Sequence, residues 1–131
     1  MIGLDTNVIV RYLAQDDPVQ SPTATELMER RLSDADPGFA SVVAMAETAW
    51  VLERAYGLSD HDVAAAIERT LQAGVLMIEH EQDVFTAMIA LREGRGSFAD
   101  ALIGALGAGA GCSHTVTFDR EASRLPDFQP L

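Results

Sequence analysis

The chain opens with Met1-Ile2-Gly3-Leu4-Asp5-Thr6-Asn7, a short apolar run that ends in an acidic residue and two turn-prone polar residues. A short run of isoleucine, glycine and leucine is typical of a buried strand in a parallel β-sheet. In open α/β sheets, binding sites form beyond the carboxyl ends of such strands. The opening therefore predicts a central strand over residues 2–4 that places Asp5 at the edge of a sheet.

Three further acidic residues interrupt apolar stretches of the chain. Glu47 lies within residues 40–52, Asp100 is the only charge between residues 95 and 114, and Asp119 closes the β-prone run 115–118. An ionised carboxylate in an apolar setting is costly unless something pairs with it. Hard divalent cations such as Mg²⁺ and Mn²⁺ prefer oxygen ligands of this kind. The four acids therefore predict a shared metal site in an enzyme.

Predicted strands and helices alternate along the chain, which indicates a parallel sheet covered by helices on both faces. Serines at positions 41, 59 and 97 are expected to cap the helices that follow them. If the first and last strands are neighbours, Asp5 and Asp119 project into the same crevice. Glu47 shares a helical stripe with Val43 and Trp50, so we expect its side chain to face inward. Strands are expected at residues 2–4, 75–78 and 115–118, with no more than a brief strand at residues 39–40. Helices are expected at residues 6–13, 22–32, 42–56, 60–73, 81–92 and 98–108.

Each acid also has a purely structural alternative. Asp5 and Asp119 fit helix or turn caps, and Asp100 fits a capping box that begins three residues earlier, at Ser97. Glu47 lies on the same side of its helix as Arg54, with which it could form an ion pair. We favour one shared metal site because it replaces four separate structural explanations with one.

The charge balance limits the chemistry further. The chain has 20 acidic and 9 basic residues, a net charge of −11, and no lysine. The missing lysine excludes a Walker-type phosphate loop and Schiff-base chemistry, and argues against an aspartate-based phosphatase. Without a broad basic surface, a nucleic acid would have to be bound by the metal and a few arginines. The candidates are Arg11, Arg95, Arg120 and Arg124, with Arg11 and Arg120 preferred.

Four motifs carry a resemblance to a known family. The opening residues 1–7, Glu47-Thr48, Phe98-Ala99-Asp100-Ala101 and Thr117-Phe118-Asp119-Arg120 resemble, in this order, the motifs of PIN-domain ribonucleases. Their order, spacing and total length resemble those of VapC-type toxins from bacterial toxin–antitoxin modules. The resemblance implies a single PIN-like domain over residues 1–131, with a Rossmann-like α/β/α fold and a short, mainly parallel sheet. It also implies Mg²⁺- or Mn²⁺-dependent cleavage of single-stranded or looped RNA.

The resemblance assigns roles to individual residues. Asp5, Asp100 and Asp119 are expected to hold one metal ion, and Glu47 to hold a second metal ion or orient the attacking water. Thr6, Asn7 and Thr117 are expected to position these carboxylates.

Partners and location are expectations of the same kind. The resemblance implies an RNA substrate, a cognate antitoxin protein and a homodimer. The chain shows neither a signal-peptide pattern nor an apolar segment long enough to cross a membrane, and it has one cysteine. We therefore expect a cytoplasmic protein. Two alternatives remain open: a PIN-type metal-dependent nuclease outside toxin–antitoxin systems, and a degenerate PIN-like module that only binds.

Overall fold

Five short strands form two parallel sheets in the computed structural model, which describes all 131 residues. The first sheet has the order β1-β2-β3, with β2 in the centre and Ile2 opposite Gly38 in register. The second sheet pairs β4 with β5. The strands are β1 (Ile2–Gly3), β2 (Gly38–Ala40), β3 (Leu76–Ile78), β4 (Thr115–Thr117) and β5 (Phe128–Pro130).

Six α-helices alternate with these strands. Three of them begin as predicted, because the hydroxyls of Ser41, Ser59 and Ser97 accept the backbone N–H three residues further on. No helix is both long enough and apolar enough to span a membrane. The helices are α1 (Thr6–Ala14), α2 (Gln20–Glu26), α3 (Val42–Arg54), α4 (Asp60–Gln72), α5 (Glu81–Arg92) and α6 (Phe98–Gly109); α2 continues into a π-helical turn (Leu27–Arg31), and a 3₁₀ turn (Ala122–Arg124) precedes β5.

One cluster of 25 buried residues forms the core. Its most deeply buried side chains include Met45 and Leu52 on α3, Ile67 on α4 and Met88 on α5. Burial of each such side chain contributes about 1.5–3 kcal/mol. Helix α1 also packs against α3. The start of α1 is therefore held beside a helix that is anchored firmly in the core.

The central strand depends on a glycine. A Cβ atom at Gly38 would lie 2.9 Å from side-chain atoms of both Leu32 and Leu76. Without that atom, both leucines can pack directly over the strand. The close approach explains why a residue with no side chain stands at the middle of the first sheet.

The structure departs from the sequence-based expectations in four details. Strand β1 lies at the sheet edge with Ile2 exposed, and only the following Leu4 is buried. Strands β1 and β4 are not hydrogen-bonded neighbours, because each belongs to a different sheet. Helix α2 begins at Gln20 rather than around Pro22, since the Asp17 carboxylate accepts two backbone N–H groups there and starts the helix early. Strand β5 was not predicted at all.

Candidate active site at Asp5 and Glu47

Asp5 lies between strand β1 and helix α1, as the sequence predicts. Its backbone is extended and it is the N-cap of α1, with its Oδ1 accepting the backbone N–H of Thr6 at 2.7 Å. This is also the structural role considered as its alternative. The side chain is exposed and its Oδ2 has no hydrogen-bond partner in the protein. One carboxylate oxygen of Asp5 therefore remains available at the positive end of the helix dipole.

Thr6 joins Asp5 to the second acid of the site. Its side chain is buried, and its Oγ1 donates to Glu47 Oε1 at 3.2 Å. This bond links the start of α1 to the middle of α3, across 41 positions of sequence. Glu47 Oε2 has no partner in the protein. The predicted positioning role of Thr6 therefore has a specific contact behind it, made to Glu47.

The two carboxylates border a common cavity of about 450 Å³. Neither takes part in a salt bridge, and the same is true of Asp100 and Asp119. The negative charge at this cavity is therefore not neutralised by a direct ion pair. The complete lining is Asp5, Thr6, Asn7, Val10, Arg11, Glu47, Val51, Ala55 and Tyr56.

The prediction that Glu47 faces the interior is wrong. Glu47 is exposed, together with Val43 at 66% and Trp50 at 58% of their full accessibility. The buried face of α3 is instead the neighbouring stripe of Ala44, Met45, Thr48, Ala49 and Leu52. Glu47 therefore reaches a water-accessible cavity and avoids the cost of a buried charge.

Arg54, the structural alternative partner of Glu47, lies elsewhere. Its guanidinium stacks over the Trp50 ring at 5.5 Å from the centroid. This cation–π contact holds the Arg54 side chain at the exposed face of α3. No ion pair with Glu47 forms.

Asp100 and Asp119 do not line this cavity. The backbone N–H of Asp100 donates to Ser97 Oγ at 3.1 Å in the first turn of α6. Asp119 accepts the backbone N–H groups of Glu121 and Ala122 through its Oδ1, at 2.8 and 3.4 Å. Asp119 thus makes the capping contacts described as its structural alternative, whereas the Asp100 carboxylate does not complete the capping box, since only its backbone N–H contacts Ser97.

Thr117 contacts the backbone of Asp119. Its Oγ1 accepts the Asp119 N–H at 3.0 Å. It therefore fixes the turn that carries Asp119 and does not touch the carboxylate itself.

The donor set of the cavity is small. No group of three or more histidine, cysteine, aspartate or glutamate side chains is arranged to hold a metal ion. Mg²⁺, however, keeps several waters and is usually bound through one or two carboxylates together with substrate phosphates. The pair formed by Asp5 and Glu47 fits that requirement. The convergence of all four acids remains a prediction.

Tyr56 is the polar cavity residue that was not predicted from the sequence. Its hydroxyl accepts from Arg11 Nη1 at 2.9 Å and donates to Asp16 Oδ2 at 2.8 Å. Burial, followed by this hydrogen bond to Asp16, raises the pKa of Tyr56 above its usual value. No sequence pattern links residues 45 positions apart, so only the packing of α1 against the end of α3 shows the contact.

Comparison with known proteins gives one result. The family model described as PIN domain matches residues 2–127. No curated protein and no solved structure matches the chain. The family match spans nearly the whole chain and agrees with the Rossmann-like α/β fold predicted from the sequence, which is thereby confirmed.

Proposed function

Because this chain belongs to the PIN domain family, whose members are generally nucleases that use divalent metals, we propose that it is a Mg²⁺- or Mn²⁺-dependent endoribonuclease. We further propose that it acts as the toxin of a bacterial type II toxin–antitoxin module. One observation carries the proposal: Asp5 and Glu47 border one cavity without a salt bridge to any basic group. Two such carboxylates attract a divalent cation and, through it, a phosphodiester.

The proposed reaction is hydrolysis of an RNA phosphodiester bond. A divalent cation at the two acids would lower the pKa of water and offset the charge that develops on the phosphate oxygens. Glu47 Oε2 would hold a cation or orient the attacking water, whose proton passes to solvent, while Thr6 holds Oε1 in place. The new bond forms between water oxygen and phosphorus, and the bond to the 3′ oxygen breaks. That oxygen leaves with a proton from solvent, so the products carry a 5′-phosphate and a 3′-hydroxyl.

The remaining site residues complete this proposal. Asp5, Asp100 and Asp119 would together hold one cation. Asn7 lines the cavity and would orient a phosphate beside Asp5. Thr117 would hold the turn of Asp119, and Arg11 and Arg120 would bind RNA phosphates.

The negative charge of the cavity also supports a proposal about a protein partner. A cavity with two carboxylates would attract a basic side chain from a cognate antitoxin, which would compete with the cation. We propose a homodimer in the cytoplasm, with residues 1–131 as one PIN-like domain. The absence of a group of three carboxylates favours, as a second candidate, a PIN-like module that binds RNA without cutting it.

Cleavage of a structured RNA mixture by purified protein separates these two candidates. Wild type should cleave in Mg²⁺ or Mn²⁺ and stop in EDTA, and Asp5→Asn and Glu47→Gln should be inactive. Asp34→Asn is the matched control, since Asp34 is exposed and makes no side-chain hydrogen bond or salt bridge. Cleavage that persists in EDTA or in both variants would refute the metal-nuclease proposal. Binding without any cleavage would support the second candidate.

A further inference from the structure

A second cavity, of about 330 Å³, lies between α1 and α2. Its lining includes Arg11 and Arg31 and no acidic residue. The chain has 20 acidic and 9 basic residues, so a cavity with two arginines and no acid contrasts with the rest of the molecule. We call it the Arg11–Arg31 cavity. Its charge suits an anionic group.

The Arg11–Arg31 cavity adjoins the candidate active site. Asn7 and Arg11 line both cavities, so these two side chains form a shared wall. A linear anion that is bound at Asp5 and Glu47 through a cation can therefore continue past Arg11 into the second cavity. A strand with evenly spaced phosphates has this form.

Arg11 is held in a defined orientation by three side chains. Its Nε donates to Gln20 Oε1 at 2.8 Å, and its Nη1 donates to the hydroxyl of Tyr56 at 2.9 Å and to Asp16. The Tyr56 hydroxyl in turn donates to Asp16. Nη2 of Arg11 has no partner in the protein. A fixed guanidinium with a free edge is well suited to bind a phosphate.

Arg31 is the uncompensated cation of the pair. It lies on the π-helical turn that follows α2, and it makes no salt bridge and no side-chain hydrogen bond. The adjacent Arg30 instead pairs with Glu26 at 3.5 Å and does not line the cavity. Single π-helical turns occur frequently at functional sites. Arg31 is therefore available to bind an anion, whereas the charge of Arg30 is already paired with Glu26.

We infer that the Arg11–Arg31 cavity binds a backbone phosphate of single-stranded RNA, adjacent to the phosphate that is cleaved at Asp5 and Glu47. Tyr56 is a positioning residue, because it acts on the RNA only through Arg11. This inference rests on the proposed function and adds to it the path of the substrate. It also explains how a strongly acidic protein holds an anionic strand, because the cavity lining contains no acid, Arg31 makes no salt bridge, and Nη2 of Arg11 is free although Nη1 pairs with Asp16.

The test uses protein that carries Asp5→Asn, in Mg²⁺ buffer. Its binding of fluorescein-labelled oligouridylate, an unstructured RNA, is measured by fluorescence anisotropy over a range of salt concentrations. Loss of one phosphate contact lowers the slope of log affinity against log salt by about 0.7, which is about fivefold in affinity near 0.1 M salt. Arg31→Gln should show this loss. Arg30→Gln removes the same charge from the same turn and should leave both the affinity and the slope unchanged.

A double-mutant cycle tests the role of Tyr56. Tyr56→Phe should weaken oligouridylate binding when Arg11 is present and have no further effect when Arg11→Gln is already in place. Equal effects of Tyr56→Phe in both backgrounds would show a merely structural role and overturn the positioning role.

The two proposals fail in different ways. If Arg31→Gln behaves like Arg30→Gln while the wild type still cleaves RNA in Mg²⁺, the phosphate subsite is refuted and the nuclease proposal stands. If wild type does not cleave but Arg31→Gln alone weakens binding, the subsite stands and the nuclease proposal fails.

Discussion

Replacing Thr6 with valine removes the hydroxyl that joins the start of α1 to Glu47, while keeping the shape of a buried side chain. The lost bond is 3.2 Å long and its acceptor lies on an exposed residue, so water can replace it. Hydrogen bonds to charged groups contribute about 1.5–3 kcal/mol, and these two features place this one lower, at about 1 kcal/mol. For a chain of this size the unfolding temperature should fall by about 3–5 °C.

The effect on function should be larger than the effect on stability. Removing a group that orients a metal-binding side chain typically lowers metal affinity or activity by about 10- to 100-fold. We therefore expect Thr6→Val to shift the Mg²⁺ dependence of RNA cleavage to higher concentration by that factor, and to weaken Mn²⁺ binding in calorimetry. Thr6→Ser keeps the hydroxyl and should stay close to wild type.

The refuting result is specific. If Thr6→Val binds Mn²⁺ and cleaves RNA at the same Mg²⁺ concentration as wild type, Glu47 does not depend on Thr6 for its position. If Thr6→Ser and Thr6→Val lose equal activity, the hydroxyl is not the relevant feature. Either outcome would show that the hydrogen bond between Thr6 and Glu47 does not contribute to metal binding or cleavage.

Three further predictions concern the scaffold. Gly104→Ala should destabilise the fold by about 1–3 kcal/mol in urea unfolding, because its Cβ would lie 2.8 Å from the Phe128 ring; Gly109→Ala, with nothing closer than 3.8 Å, is the control that should not. Leu52→Ala should cost about 2–5 kcal/mol, since Leu52 is 1% exposed. Backbone N–H groups at the start of α2 lower the pKa of Asp17 from its ordinary value of 3.8. The contribution of this carboxylate to folding stability is therefore present above pH 3.8 and is lost as the pH falls through the lowered value. Asp17→Asn should therefore unfold with a weaker dependence on acid pH than wild type.

The local parts of the fold could be read from the sequence because local chemistry decides them. Ser41, Ser59 and Ser97 each accept an N–H three residues on, wherever the helix is later packed. The bounds of α5 at Glu81–Arg92 agree with those predicted. Serine capping explains the starts of α3, α4 and α6, since the signal lies within one turn of the start of each helix; α5 agrees in its bounds although its N-cap residue, His80, makes no side-chain capping bond.

The long-range parts could not be read in the same way. The short strand β2 is central only because both β1 and β3 pair with it, which its three residues do not reveal. Glu47 was placed inward because its stripe includes Val43 and Trp50, yet the neighbouring stripe that contains Met45 and Leu52 forms the packed face of α3.

At the candidate site too, local sequence features could be predicted and long-range contacts could not. Asp5 and Glu47 were identified by their apolar neighbours, and they do border one cavity. Tyr56 was missed because its partner Arg11 is 45 positions away. A contact of this kind depends on how α1 and α3 pack, which no local motif encodes.

The most direct test of the central claim is the position at which Mn²⁺ binds. A titration of Mn²⁺ into isotopically labelled protein, followed by line broadening of amide NMR signals, should first broaden the signals of Asp5, Thr6 and Glu47. The same titration of the double variant Asp5→Asn/Glu47→Gln should leave those signals sharp. Broadening centred on another acidic region, or unchanged in the double variant, would contradict a metal site at this cavity.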